Sequence, residues 1–511
     1  MLWAFAVASA LPLSAAFPAQ PLNATWDTVV ALTRDPASQY TGYGRQHSVA
    51  VDTGGNVHVV WCDARTSPQR IWYRRHNAGT QTWEPETMLT NLSVSCQRPG
   101  IACDEAGNVH VVWHTERYPY YGIWYKRFSA QAATWRPDTL LDSSTSTKLR
   151  LYPSICCQLG GNRVHVAWYG LADTGICYQV FHKEWQPGTG WAGAELVTEA
   201  PCFHDQVSIA ANPDDDLCVA WCGLDLPGVF NQVYCRRRVG GIWQEPELVS
   251  DMAVSFTQYA PCACADDSGG FHLVWYGRSD EDFYHRIYHR LRTEGGWTDV
   301  YSLTTQADRQ QQYPSVACLA NGDCHVVWRG QSASSGISQL CYARGTRSGT
   351  WTMPERLTAV SDDVCHPGIA AAGSDLHVVW HYNSAGNIDV YYLHGQNGSP
   401  VVVSPAVPID EGGFRITPSV VTGGFAVLRF GSALGTRSLE SAVMPVVYDV
   451  SGRKVAAFEP LRPDASSVVK LDLGSLPAGA YLLMLESGAV RCCPVQKFLI
   501  PGRQWNERQC P

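Results

Sequence analysis

The chain carries little charge. Only 16% of its 511 residues are Asp, Glu, Lys or Arg, while 11% are aromatic. That balance excludes a disordered polyelectrolyte and suits a sheet-rich extracellular protein. Cations are outnumbered, 38 to 46, for a net charge of −8. A nucleic acid is therefore not an expected partner. After the N-terminus no run of eighteen apolar residues occurs, so no transmembrane helix is expected. No long 3.6-residue apolar period occurs either, so helices have no signal here. The cysteines show no zinc-site spacing, and no metal or other cofactor is expected.

What is present is repetition. GNVHVVW stands at 55–61 and again at 107–113, and five near-copies follow, closing on Trp168, Trp221, Trp275, Trp328 and Trp380. The steps between the seven closing tryptophans are 52, 55, 53, 54, 53 and 52 residues. A fixed period with strand-like content marks a repeat architecture. Each unit reads as four short strands: one like HSVAVD (47–52), the strand ending in Trp, an aromatic strand like RIWYRR (70–75), and a last element running from Trp to Thr, like WEPETMLT (83–90). Short β-branched and aromatic runs between Gly, Asn and Asp are the mark of antiparallel sheet.

The last element sets the topology. Six copies begin at Trp83, Trp135, Trp191, Trp243, Trp297 and Trp351, and the seventh unit has none. A spare copy, WDTVVALT (26–33), precedes the first unit. A missing last strand and a surplus first one predict a closed ring. The fold class expected is all-β: a seven-bladed β-propeller over 26–404, with residues 26–33 beside DVYYLH (389–394).

Residues 1–16 read as a secretory signal segment with a small-residue site at Ser14-Ala15-Ala16, although no Lys or Arg stands near Met1. Nineteen cysteines in a secreted chain invite a disulfide reading. Cys103, Cys157, Cys264 and Cys318, however, align with Val51, Ala211 and Ala371, which predicts buried, unpaired thiols. Cys62, Cys96, Cys202, Cys222 and Cys365 fall in loops and are free to pair, with partners left open. Six units carry a histidine three residues before the closing Trp: His58, His110, His165, His272, His325 and His377. Spread over separate blades, they cannot converge on one ion and are expected as hydrogen-bonded residues between blades.

Past residue 404 the repeat stops. SPAVPIDEGG (404–413) gives a linker over 405–413, and alternating apolar strands over 414–500 predict a small Ig-like β-sandwich before an 11-residue tail, 501–511. Pro418, Asp449-Val450-Ser451-Gly452-Arg453-Lys454-Val455 and Leu476-Pro477-Ala478-Gly479-Ala480-Tyr481 follow one order. That order resembles the C-terminal sorting domain of type IX secretion substrates and the related FlgD-like immunoglobulin fold. The resemblance implies contact with the secretion machinery, export across a bacterial outer membrane, and release or attachment at the cell surface. The tail after Ile500 departs from that pattern. The propeller resembles the sialidase-like, BNR-repeat group. In turns such as NAGTQTW (77–83) the final Thr-Trp of the Asp box remains, while its Asp and Gly register are gone.

In a propeller, the loops before the first strand and after the second share one face around the channel, and rigid blades suit them to binding. The candidate ligand-binding residues there are Arg98, Arg278, Arg329, Asp63, Asp205, Tyr152, Tyr259, Tyr313, His366 and His381. Arginine, carboxylate and aromatic side chains together suit sugar or carboxylate recognition. A sialidase would need three arginines on one carboxylate, a Tyr–Glu pair and an Asp acid/base. FRITP (414–418) belongs to the C-terminal domain, and no first-blade FRIP-type motif exists, so no catalytic residue is carried over. Arg98, Arg278 and Arg329 are expected to lie too far apart for one carboxylate. The reading is a secreted or surface-attached binding or scaffold module for a glycan or protein. A sialidase-type glycoside hydrolase is the second reading and a structural envelope protein the third.

Overall fold

The computed structural model describes residues 24–397, apart from 43–46, 116–121, 144–148, 173–176, 200–201, 225–229, 251–255, 281, 306–307, 333–334 and 385–386, together with strand segments between 414 and 500. The expected signal segment 1–16, the linker 405–413, the tail 501–511 and much of the sorting motifs, Pro418, Ser451, Gly452 and Pro477 included, lie outside the described residues. The chain divides after Pro400 into two units.

The first unit is a seven-bladed β-propeller, with seven antiparallel sheets that follow one another along the chain. The first strands of successive blades adjoin one another all the way round: Cys96–Cys103, Arg150–Cys157, His204–Ala211, Gln258–Ala265, Gln311–Cys318, Val364–Ala372 and, closing on the first again, Val49–Val51. Blade 7 is finished by the N-terminus. Thr25 and Trp26 pair with Gln396 and Gly395, and Val30 and Ala31 pair with Tyr392 and Tyr391. The spare copy fills the vacancy that the repeat count left.

The repeat signature has a physical reading. All seven closing tryptophans are fully buried between blades. An aromatic of this size removes about 150–250 Å² from water, so the seven dominate the core. The Thr or Ser that recurs at the end of the last element closes the sheet. The hydroxyls of Thr90, Thr198, Ser250, Thr304 and Thr358 accept the backbone N–H of Ile71, Val180, Val233, Ile287 and Leu340 at 2.9–3.2 Å. Thr33 does the same for Val390 at 2.9 Å, so the seam is built like the other joints. Replacing Trp275 by Ala is expected to cost about 3–5 kcal/mol, read as a lowered denaturant midpoint. Its indole N–H also donates to Gln258 Oε1 at 3.2 Å.

The second-strand histidines tie hairpins together, mostly within a blade rather than between blades. His58 Nδ1 lies 2.7 Å from the Tyr73 hydroxyl and its Nε2 lies 3.1 Å from Asp52. His110 repeats this with Tyr125 and Asp104. Among the described residues only His165 takes its carboxylate from the next blade, Asp215 at 2.9 Å. A short Asp turn within reach of its own strand explains the difference from the sequence expectation.

Two expectations about cysteines need correction. Cys103, Cys157, Cys264 and Cys318 are half-buried rather than buried, although each packs against an inter-blade core. Among the described residues no two cysteines form a disulfide, and of the expected loop cysteines Cys62, Cys96, Cys222 and Cys365 lie in strands. Cys264 also sits one place off the assumed repeat position. Cys103, Cys157 and Cys318 lie opposite Val109, Val164 and Cys324, but Cys264 lies opposite His272. One residue of slip turns a side chain to the other face of its blade.

The second unit holds two antiparallel sheets. One joins Phe414–Thr417, Phe425–Phe430 and Val468–Asp472; the other joins Lys454–Ala457, Met444–Asp449, Gly479–Ser487 and Val490–Ile500. Among the described residues no helix is long and apolar enough to cross a membrane.

Candidate functional site

Each blade carries one residue with a left-handed backbone in or just before its first strand. They are His47, Arg98, Tyr152, Gln206, Ala260, Tyr313 and His366, with φ between 43° and 55°. In blades 2 to 7 the register between first and second strand shifts at this point, which is a bulge. A left-handed residue other than glycine costs on the order of 1–3 kcal/mol, and glycine would relieve it. None of the seven is glycine. The ring keeps side chains at the innermost strands against a steady backbone cost.

These side chains form two aromatic arcs, each with an arginine. Tyr152 packs on His114 at 5.1 Å and stacks on Tyr169 at 5.5 Å, and the Arg98 guanidinium lies 5.7 Å above its ring. Tyr313 contacts Tyr276 at 5.3 Å and His366 at 4.9 Å, and the Arg329 guanidinium lies 5.7 Å above it. His366 reaches His381 at 5.2 Å, and Tyr40 closes on His381 at 5.6 Å. Gln206 accepts the Ala260 N–H at 2.8 Å, linking the bulges of blades 4 and 5. A pocket of about 190 Å³ opens beside Arg98, lined also by Tyr40, Thr41, Cys62, Gln69 and Gln97.

His381 joins the arcs. Burial pushes its pKa down to about 3, and the positive charges of Arg98 and Arg329 both lower it further. Both guanidinium groups thus act on one imidazole. Its Nδ1 lies 3.2 Å from the Thr41 N–H, which donates to it, and 2.7 Å from the Thr41 hydroxyl. The ring is neutral with its proton on Nε2, a hydrogen-bond donor without charge. Burial likewise lowers His47 to about 4. The charge in this cluster comes from the arginines.

Of the sequence candidates, Arg98, Arg329, Tyr152, Tyr313, His366 and His381 come together here. Tyr259 stands next to the bulge at Ala260 and stacks on Tyr276 at 5.2 Å. Asp205 stands next to the bulge at Gln206. Arg278 is turned elsewhere: it lies 3.9 Å over the Phe256 ring, donates to the Asp282 carbonyl at 3.1 Å, and bears on His285 rather than His381. Asp63 is fully buried, and its carboxylate accepts from the Trp61 indole and from Arg65, so it serves the fold. Tyr40, Thr41, Gln206 and Tyr276 were not singled out from sequence. A left-handed bulge built on Arg, Tyr or His carries no glycine to announce it. A larger cavity, about 580 Å³, lies by the seam near Asp27, Trp83 and His394, and none of the seven left-handed residues borders it.

No protein-family model matches the chain, and no curated protein matches it. Solved structures do resemble it. A protein of unknown function from Dyadobacter fermentans is 11% identical, with a TM-score of 0.45 over 74% of this chain and 100% of its own. The polysaccharide lyase Uly1 is 11% identical, with a TM-score of 0.49 over 73% of this chain and 99% of its own. The sialidase of Trypanosoma rangeli is 10% identical, with a TM-score of 0.40 over 92% of this chain and 94% of its own.

Proposed function

We propose that the propeller binds an acidic sugar chain at its channel mouth, and that it does so without cleaving it. The observation that carries the reading is the paired arrangement of Arg98 over Tyr152 and Arg329 over Tyr313, both acting on neutral His381. Guanidinium groups grip carboxylates by charge-assisted hydrogen bonds, and the tyrosine rings beneath them hold them in position. The bulged first strands hold Arg98, Tyr152 and Tyr313, and the second strand Cys324–Gly330 holds Arg329. Hydrolysis of a sialoside would ask for a third guanidinium on the same carboxylate, and Arg278 is engaged beside Phe256. Export and surface attachment rest on the sorting-domain motifs at the C-terminus and are tested by cell fractionation.

Arg98→Gln and Arg329→Gln are each expected to weaken binding of a uronate- or sialate-bearing oligosaccharide about tenfold or more, since a hydrogen bond to a charged group contributes about 1.5–3 kcal/mol. Neutral oligosaccharides should bind weakly to all forms, and thermal stability should not move. Titration calorimetry on acidic and neutral chains reads this directly. Equal affinity for both classes, or binding untouched by both substitutions, would overturn the proposal. Turnover of a fluorogenic sialoside that disappears in Arg329→Ala would put the hydrolase reading in its place.

A further inference from the structure

Side chains on the facing surfaces of neighbouring blades meet at five equivalent positions. The earlier blade gives one residue each from its first, second and third strands, and the later blade gives one each from its first and second. Between blades 5 and 6 these are Cys264, His272 and His289 on one side and Cys318 and Cys324 on the other. All five are metal-ligand types. At the joint of blades 1 and 2 the same positions hold Ala50, His58, Tyr73, Cys103 and Val109. At the joint of blades 6 and 7 they hold Ala317, His325, Tyr342, Ala371 and Leu376. The register of Cys264, one place off its counterparts, is what turns its thiol toward Cys318.

The donor atoms converge. The sulfurs of Cys264, Cys318 and Cys324 lie within 4.8 Å of one another, and so do the donors of Cys324, His272 and His289. Cys264 and Cys318 approach to 2.8 Å between sulfurs. A tetrahedral ion with bonds of about 2.3 Å to sulfur and about 2.0 Å to nitrogen holds its donors about 3.5 Å apart, so each of the two triads sharing Cys324 is near coordinating distance and one imidazole has to close on the three sulfurs. An outer shell is also in place. His272 Nε2 lies 3.3 Å from Asp266 and its Nδ1 lies 3.0 Å from His289 Nε2. A carboxylate behind an imidazole is how metal-bound histidines are oriented.

We propose that Cys264, Cys318, Cys324 and one imidazole of the His272–His289 pair form a structural zinc site that staples blade 5 to blade 6. Three thiolates and one imidazole suit a closed tetrahedral zinc site with no open position for substrate. Binding is not a redox step. Zn²⁺ takes four donor electron pairs, and the three thiol protons pass to solvent. Each thiol must shed its proton to bind, so the site should load poorly in acid. Chain spacing gave no sign of it, because the four ligands come from four different strands of two blades.

The test is metal content. The full chain, purified without chelator, is expected to hold about one zinc per molecule by plasma mass spectrometry. After stripping, Co²⁺ should restore thiolate-to-metal absorption and tetrahedral d–d bands. Cys318→Ser should lose the ion, whereas Cys103→Ser, its counterpart in blade 2, should keep it. His289→Gln should weaken the cobalt bands and serves if Cys318→Ser does not fold. Wild-type protein that stays metal-free after zinc incubation, with all three thiols open to alkylation after unfolding, would overturn the proposal. So would a Cys264–Cys318 disulfide in non-reduced peptide mass spectra.

Discussion

A chain lacking residues 24–33 is expected to lose blade 7 and, with it, the ring. Those residues supply more than two short strands. Leu32 is almost wholly buried in the core shared by blades 7 and 1, alongside Trp61 and Tyr392. The Trp26 ring meets Tyr342 of blade 6 edge-on at 4.9 Å and its indole donates to Glu355 at 2.9 Å. The Leu32 carbonyl accepts from Arg74 of blade 1 at 2.7 Å. The seam strand therefore touches three blades. Losing the Leu32 side chain alone should cost about 2–5 kcal/mol, and the whole segment more than the 5–15 kcal/mol that folded domains hold. The expected result is insoluble or protease-sensitive protein. Moving residues 24–36 to follow Asn397 should restore folding, because Thr25 already pairs with Gln396 across a short gap. Soluble, cooperatively unfolding protein from the simple deletion would refute closure by the N-terminus.

Acid should unfold the propeller at a pH where most sheet proteins are still stable. Burial lowers His182 and His377 to about 4, as it does His47, and lowers His325 to about 3, as it does His381. All five are neutral in the fold, while in the unfolded chain they protonate near 6.5. The unfolded chain thus binds more protons below that value. Stability is complete above about pH 6.5 and falls as pH drops toward 4. Each shift corresponds to something on the order of 3 kcal/mol, so the five together are comparable with the whole stability of an ordinary domain. The ring should unfold before they have all titrated. His182→Tyr puts in the residue that blades 1, 2, 6 and 7 hold at that position, as Tyr73, Tyr125, Tyr342 and Tyr392. It should move the acid midpoint downward. Circular dichroism against pH on both proteins decides this, and an unchanged midpoint would count against buried histidine as the cause.

The ring was legible because burial is periodic. Seven tryptophans with one environment recur at one spacing, and a strand that must end on a hydroxyl repeats its Thr. Counting those units located the seam without any contact map. The bulges were not legible. Arg98, Tyr152 and Tyr313 sit in a backbone region that sequence marks only through glycine, so they were found as loop residues and not as members of one ring. Asp63 misled because a carboxylate after a buried Trp looks the same in sequence whether it meets solvent or, as here, the indole of Trp61. Cys264 misled through alignment: it pairs with His272 as Ala317 pairs with His325, so it stands one repeat position before Cys318 and faces the other side of its blade.

The seam also fixes an order of events in synthesis. Trp26 leaves the ribosome about 370 residues before Gln396, an interval of about 20–70 s at usual elongation rates. Throughout that time the first-made strand, with Val29 and Val30 on its surface, has no edge of its own to join. Blade 7 in turn stays open until its third strand, Asn387–Gln396, is complete. Neighbouring chains on one message offer each other the same orphan strand and the same open edge. The misassembly to look for at high expression is an exchange of residues 25–33 between two chains, giving a swapped dimer whose blades are each correctly formed.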